Sequence, residues 1–258
     1  MDRDPRNWQF FLLRMAIPAS IAIVFFVCLI QFFIIPTFER AMMNERREMI
    51  RQLTETAWSV LADFHNEQVA GRMTKLEAQK MARTAINSLR YGEDGKDYFW
   101  LLDEHPRMIA HPYRSDLEFK DVTDFKDPNG KRLFLEFAKL VKEKKSGYVD
   151  YMWQWKNDPN KVVAKLSYVK GFEPWGWIVG TGIYIEDVHH DIQKLTDNIL
   201  LVSIAIILII GGIIVFVVLQ GVGIEKARQM AESNLVESKD KYQALVEAST
   251  DGLIMLLN

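Results

Sequence analysis

The run Asp97-Tyr-Phe-Trp-Leu-Leu-Asp103 decides the fold, because at this point the chain changes from helical spacing to strand-like spacing. Four further short runs rich in aromatic and β-branched residues follow it, separated by turn residues. They are Met108 to Tyr113, Tyr148 to Trp155, Val162 to Val169 and Trp177 to Ile185. The sequence therefore predicts a mainly antiparallel sheet of about five strands.

Two helices are predicted before the first strand. After Pro36, apolar residues recur at spacings close to three and four, with charged residues between them, as far as about Gln68. Gly71 ends this pattern. Thr74-Lys-Leu-Glu77 is a capping-box sequence, which opens a second helix that runs to about Leu89.

Two more helical runs lie among and after the strands. Lys131 to Lys144 places apolar residues on one face after the turn Asp127-Pro-Asn-Gly130. Glu186-Asp187 begins a helix that continues into a long apolar segment. Helices that precede and cross an antiparallel sheet predict an α+β domain.

Two apolar segments flank this domain. Met15 to Ile35 and Ile199 to Leu219 each run about 21 residues without a charged side chain, the length that a helix needs to cross a bilayer. Basic residues before the first segment and after the second predict that both ends are cytoplasmic. The expected order is a cytoplasmic N-terminus (1–14), a membrane helix (15–36), an extracytoplasmic domain (37–198), a second membrane helix (199–220), a signalling helix (221–243) and a final segment (244–258).

Composition and charge argue against several classes of function. The formal net charge is only -2 and no block of like charges occurs, which argues against nucleic-acid binding. The single cysteine, Cys28, lies in the first apolar segment, so it cannot form an intrachain disulfide or a zinc cluster. His189 and His190 are adjacent and point about 100 degrees apart on a helix, which argues against paired metal ligation. We predict no catalytic site, cofactor or metal, since no nucleophile, base and orienting group cluster recognisably.

The strand runs carry a family resemblance. Together with His111-Pro112 and the Asp127-Pro-Asn-Gly130 turn, they resemble in order and spacing the core of single-Cache sensor domains, type 2, over about Met42 to Val188. The resemblance implies a PAS-like antiparallel sheet behind a long N-terminal helix, with the ligand site between the sheet and its covering loops. Phe119 departs from the family, which usually carries glycine there, so that loop is expected to sit differently.

A second resemblance lies near the C-terminus. Lys241-Tyr-Gln-Ala-Leu-Val-Glu247 and Ser249-Thr-Asp-Gly-Leu-Ile254 resemble the opening of a cytoplasmic PAS domain. The segment 244–258 is therefore expected to be the truncated, partly strand-like start of such a domain; a disordered segment is the alternative. Before it, apolar residues at helical spacing, among them Ile224, Leu235 and Tyr242, predict a signalling helix that pairs with a second subunit; a lone exposed helix is the alternative.

Eight residues at the family's motif positions are the candidates for ligand contact. A small carboxylate needs a cation or several hydrogen-bond donors held among apolar walls, and Lys165, His111 and tyrosines are the available donors. On the first strand, alternation places Tyr98 and Trp100 on one face. The candidates are Tyr98, Trp100, Met108, His111, Tyr151, Trp153, Lys165 and Tyr168.

Each candidate also has a purely structural interpretation. Large rings at alternate strand positions are typical of a protein core, and His111 could instead satisfy a buried backbone carbonyl. Lys165 could be an edge-strand lysine that protects against aggregation. Lys165 and Tyr168 are three residues apart, so a flat strand points them to opposite faces unless a bulge intervenes. Gly180-Thr-Gly182 lacks the third glycine of a dinucleotide loop and indicates close backbone packing.

The expected function is transmembrane sensing. A homodimeric receptor of the bacterial inner membrane would bind a short-chain monocarboxylate such as acetate, propionate, lactate or pyruvate on its outer side. The expected output is a histidine kinase, because the second span leads through a coil into a PAS-like start without an obvious HAMP pattern. The alternatives are a chemoreceptor, a diguanylate cyclase, or a membrane scaffold with a filled core and no ligand.

Overall fold

An antiparallel sheet forms the centre of the domain. In this computed structural model the backbone of residues 6–256 is described, with side chains for residues 17, 18 and 20–246. Within that part of the chain six strands pair in the order β1-β2-β6-β5-β4, with β3 also paired to β2. The strands are β1 (Arg90–Tyr91), β2 (Asp97–Asp103), β3 (Met108–Ala110), β4 (Ser146–Trp155), β5 (Asp158–Phe172) and β6 (Trp177–Tyr184).

The five predicted strands are confirmed, and the short β1 is an addition. β3 ends three residues earlier than predicted, because Pro112 has no N–H group and the backbone turns there, with Arg114 N donating to His111 O at 3.3 Å. β5 begins four residues earlier than predicted, because it pairs with β4 almost to the hairpin turn. The prediction of an antiparallel sheet in an α+β domain is therefore confirmed.

The predicted helices of the domain are also confirmed. They are α2 (Ile35–Val69), α3 (Lys75–Ser88) and α4 (Leu133–Lys144). Gly71 follows α2 with a left-handed φ of 73°. At the start of α3 the Thr74 hydroxyl accepts a hydrogen bond from Glu77 N at 3.3 Å, and the Glu77 carboxylate accepts one from Thr74 N at 2.9 Å.

The sheet is covered on both faces by helices. One face packs against α2 and α3, where Leu61, Ile86 and Leu101 are fully buried. The other face packs against α4 and the loops before it, with Phe137 fully buried against Trp100. Burial of apolar surface stabilises a fold by about 25 cal/mol per Å², so the two covered faces of the sheet stabilise the three-layer arrangement.

Two glycines of β6 allow its neighbours to approach closely. A Cβ atom at Gly180 would collide with the indole of Trp100, and one at Gly182 would collide with Ser167 and the carbonyl of Leu166. The prediction of close backbone packing at these glycines is therefore confirmed.

Phe119 has a φ of 62°, in the left-handed region that favours glycine. This backbone conformation is a physical reason why the domains that the sequence resembles usually carry glycine where this chain has phenylalanine.

The apolar segments form a separate unit of residues up to Ile34 and from Asn198. α1 (Arg6–Leu29) continues through a π-helical turn at Ile30–Ile34, and α5 (Ile185–Leu256) is a single helix of 72 residues. Both segments belong to helices long and apolar enough to cross a membrane. The segment 244–256, predicted to be partly strand-like, is helical instead, while residues 257–258 lie outside the described part.

Candidate ligand-binding site

Lys165 is the centre of the candidate site. It lies in the middle of β5 and is 1% exposed. Its ammonium group is 4.0 Å from the centroid of the Tyr98 ring and 4.6 Å from that of the Tyr184 ring, and it donates to Tyr184 Oη at 3.4 Å. Among the described side chains no carboxylate forms an ion pair with it, and Asp97 acts on it only at longer range. A buried ammonium group without a counter-ion is costly, so an anion would be stabilised here.

Burial also changes the protonation of Lys165. Removal from water lowers its pKa to about 7, an effect that the charge of Lys156 increases and that of Asp97 opposes. The lysine is therefore about half protonated near neutral pH when nothing is bound. An anion beside the ammonium group would raise this pKa again.

His111 supplies a neutral donor next to Lys165. Its ring is 2% exposed and lies 4.8 Å from the Tyr98 ring and 5.6 Å from the Trp153 ring, between centroids. Nδ1 accepts a hydrogen bond from the backbone N–H of Tyr113 at 3.2 Å, so the neutral imidazole carries its proton on Nε2. Burial holds the pKa of His111 well below its usual value, and the charges of Lys165 and Arg114 lower it further.

Hydroxyl groups complete the polar part of the site. Tyr98 Oη accepts a hydrogen bond from Trp153 Nε1 at 2.9 Å, and the hydroxyls of Tyr151 and Ser167 are bonded at 2.9 Å. Burial raises the pKa of Tyr98, Tyr151 and Tyr184, so all three stay neutral at physiological pH. We name the group formed by Lys165, His111 and these three tyrosines the Lys165 cluster.

Seven of the eight predicted residues lie on one side of the sheet. Tyr98, Trp100, Met108, Tyr151 and Trp153 belong to one buried group, and Lys165 and His111 contact its tyrosines and Trp153. Trp100 and Met108 serve as apolar walls; the Trp100 ring stacks on that of Phe137 with centroids 4.9 Å apart. The structure thus places cation, hydroxyls and apolar walls together.

Tyr168 is not brought to this side. It packs with Ile50 on the face of the sheet that α2 covers, where its hydroxyl donates to Ser146 Oγ at 2.8 Å. The pairing of β4 with β5 is irregular only between Gln154 and Trp155, so no bulge lies between Lys165 and Tyr168. The two residues therefore point to opposite faces, as a regular strand requires.

Two residues of the site were missed by the sequence analysis. Ser167 lies two residues after Lys165, so strand alternation alone predicts that it shares the same face. Tyr184 is the direct cross-strand partner of Lys165 on β6. Its place in the site depends on the strand order, which local spacing does not reveal.

A groove of about 620 Å³ lies beside Trp153, whose ring neighbours that of His111 in the Lys165 cluster. Trp153 lines both this groove and the buried group, and Tyr113 and Arg114 lie beside it. The Arg114 guanidinium is 5.7 Å from the Trp153 ring centroid and is paired with Asp116 at 2.8 Å. Asp116 partly compensates the positive charge of Arg114 in this groove, so among the described residues the uncompensated cation on this side of the sheet is Lys165.

A larger groove of about 750 Å³ lies elsewhere, between α4 and the end of β5. It contains several lysines, but Lys145 pairs with Glu173 at 2.6 Å and Lys170 pairs with Glu55. It shares no residue with the Lys165 cluster. Because its charges are partly compensated within the protein, the Lys165 cluster is the better candidate for anion binding.

Comparison with known proteins gives relatives of two signalling types. The methyl-accepting chemotaxis protein McpP of Pseudomonas putida is 34% identical over 172 residues, which cover 67% of this chain and 31% of that protein. The sensor histidine kinase MctS of Rhizobium johnstonii is 33% identical over 154 residues, 60% of this chain and 32% of that protein. The chain thus spans about a third of the length of these curated relatives.

Two solved structures match this chain over nearly their own whole length. One, described as a periplasmic sensor domain of a chemotaxis protein, is 39% identical with a TM-score of 0.54 and covers 56% of this chain and 98% of its own. Another, from a study of carboxylic acid recognition by a Cache chemosensory domain, is 38% identical with a TM-score of 0.54 and covers 57% and 97%. A family model described as Cache domain matches residues 32–246. This match covers well over half of the sequence, so the chain belongs to the Cache domain family.

Proposed function

We propose that the domain of residues 35–197 is an extracytoplasmic sensor that binds a short-chain monocarboxylate at the Lys165 cluster. The observation that carries this proposal is Lys165 itself, a buried cation that lacks a carboxylate partner among the described residues and lies between two tyrosine rings. A ligand carboxylate would supply the missing negative charge in a site of low dielectric, where a charge-assisted hydrogen bond is strong.

Neighbouring groups fit the rest of such a ligand. The Nε2–H of His111 and the tyrosine hydroxyls can donate to the second carboxylate oxygen, which fixes its orientation. The stacked rings of Trp100 and Phe137 close the apolar side, which favours a short carbon chain over a long one. The carboxylic acid recognition described for a 38% identical Cache structure supports the same ligand class.

We further propose that the chain acts as a homodimer in the bacterial inner membrane, with both apolar helices spanning it. The two long apolar helices and the periplasmic sensor domain of the 39% identical structure support this location. Exposed apolar residues along the signalling helix, such as Ile224, Leu235 and Tyr242, support pairing with a second copy. For the output we propose a histidine kinase, since MctS is one such relative, with a chemoreceptor of the McpP type as the alternative.

The ligand proposal is tested by calorimetric titration of the whole chain in lipid nanodiscs. Acetate, propionate, lactate and pyruvate are the test ligands, and ethylamine and glycine are the comparison compounds. We expect at least one monocarboxylate to bind, and Lys165→Met to weaken that binding about 100-fold because a buried charge pair is lost.

Lys170 provides the matched control. It lies on the same strand as Lys165, but it pairs with Glu55 of α2 on the other face of the sheet. Lys170→Met should therefore leave carboxylate binding unchanged. Equal losses in both variants, or binding of none of the four monocarboxylates, would contradict the proposed site.

A further inference from the structure

The turn between β4 and β5 holds a second buried lysine. Lys156 is 7% exposed and has a left-handed φ of 50°. Its ammonium group lies 2.8 Å from Asp94, in the loop after β1, and 3.5 Å from Asp187, in the first turn of α5. Because its two partners belong to different elements, this one cation holds the start of α5 against the loop.

Other contacts join the same turn to α5. Trp155 Nε1 donates a hydrogen bond to Asp187 Oδ1 at 3.1 Å. Lys161, on the β5 side of the hairpin, pairs with Glu186 at 2.9 Å and lies 4.6 Å from the Trp155 ring centroid. The β4–β5 hairpin therefore contacts both acidic residues in the first turn of α5.

Tyr184 connects this turn to the Lys165 cluster. Its hydroxyl accepts a hydrogen bond from the backbone N–H of Lys156 at 2.8 Å and donates one to the carbonyl of Gln154 at 3.2 Å. The same oxygen is 3.4 Å from Lys165 Nζ. One hydroxyl therefore contacts both the proposed ligand-binding cation and the backbone of the turn. Tyr184 is also the last residue of β6, directly before α5.

We infer that Lys156 is a positioning residue, which converts occupancy of the Lys165 cluster into a displacement of the first turn of α5. This inference rests on the proposed function, since it takes an anion at Lys165 as the signal. Lys156 itself does not contact the ligand in this scheme. It acts through Asp187 on the helix and through Tyr184 on the site.

The physical step is an exchange of hydrogen-bond partners. A carboxylate beside Lys165 accepts a hydrogen bond from the ammonium group more strongly than the Tyr184 hydroxyl does. It can also accept the hydrogen bond that Tyr184 otherwise donates to the carbonyl of Gln154. When Tyr184 turns towards the ligand, the carbonyl of Gln154 loses a donor and the N–H of Lys156 loses an acceptor. The turn then favours a second arrangement, in which the longer pair from Lys156 to Asp187 is the first to open.

The test is amide hydrogen exchange over residues 185–197 in the whole chain in nanodiscs, together with calorimetric affinities for acetate, propionate, lactate and pyruvate. In the wild type, a monocarboxylate that binds should change the exchange of this segment. Lys156→Met should keep the dissociation constant within about threefold while it reduces the ligand-induced change at least about fivefold. Lys156→Arg should restore the change, because it keeps the charge.

Lys161→Met is the matched control. It removes the exposed pair with Glu186, which has no contact with Tyr184, so the ligand-induced change should persist. Without any ligand, Lys156→Met should speed the exchange of the first turn of α5 at least about fivefold more than Lys161→Met does. Asp187→Asn removes the same ion pair from the other side and should reproduce this result.

The outcomes separate this inference from the ligand proposal. A full ligand-induced change in Lys156→Met, or equal losses of affinity and of exchange response, overturns the role of Lys156. Equal exchange in Lys156→Met and Lys161→Met without ligand overturns it even if no carboxylate binds. Absence of binding to the wild type overturns the proposed function, whereas the comparison without ligand still decides whether Lys156 holds α5.

Discussion

Carboxylate binding should weaken steeply as the pH rises above 7. Burial lowers the pKa of Lys165 to about 7, and only the protonated lysine offers a charge to the ligand. The apparent dissociation constant therefore increases by the ratio of total to protonated lysine. This factor is about two at pH 7, about ten at pH 8 and about a hundred at pH 9. A surface lysine with its ordinary pKa would show almost no change over this range.

Calorimetric titration of the wild type at pH 6, 7, 8 and 9 measures this dependence directly. At pH 8 binding should take up about one proton per ligand, which appears as a difference in heat between buffers of different ionisation enthalpy. Lys165→Arg is the control, because an arginine stays charged throughout and its affinity should not depend on pH.

Two results would refute this reasoning. The first is a dissociation constant that stays the same from pH 6 to pH 9 in the wild type. The second is an equally steep dependence in Lys165→Arg, which would assign the titration to another group. His111 cannot supply the same curve, because burial holds its pKa well below its usual value, so it does not titrate at the alkaline pH where Lys165 loses its proton.

Two further predictions concern stability and ligand size. Between about pH 7 and about pH 10.5, without ligand, Lys165 is protonated in the unfolded chain but not in the folded chain. The equilibrium constant for folding should therefore increase with pH in this window, by up to about tenfold per pH unit. Thermal denaturation should show this increase in the wild type, and Lys165→Met should lose it. Phe137→Ala removes the ring that stacks on Trp100 and should lower the free energy of unfolding by about 3–5 kcal/mol. Titration of this variant should show that butyrate and valerate bind more tightly, relative to acetate, than they do to the wild type. Unchanged selectivity would show that this wall does not limit the chain length of the ligand.

The sequence predicted the sheet because each strand carries a local signal. β2 was predicted residue for residue, since its aromatic run alternates between two buried faces. β1 was missed because two residues, Arg90 and Tyr91, are too short to show a period. The prediction that 244–256 is partly strand-like was wrong, because α5 continues without a break to Leu256.

The candidate site was predictable to the extent that it follows strand alternation. Tyr98, Trp100, Tyr151 and Trp153 share one face because each pair is two residues apart. Tyr168 was included from the family motif although its spacing from Lys165 pointed to the opposite face, and here the spacing was the better guide. Contacts that depend on strand order and turn geometry, such as those of Tyr184 and Lys156, have no local signal in the sequence.

The glycines of β6 explain why Tyr184 can connect the site to α5. Residues 178, 180, 182 and 184 alternate onto the side of the sheet that holds the Lys165 cluster. Gly180 leaves its space to the Trp100 ring, and Gly182 leaves its space to Ser167. Along this part of β6 it is therefore the Tyr184 side chain that reaches Lys165, and the next residue begins α5. Under the proposed function, a ligand at Lys165 would act on β6 at the end of the strand. A small movement there would pass to α5, because the paired strands on both sides hold the end of β6 less firmly than its middle.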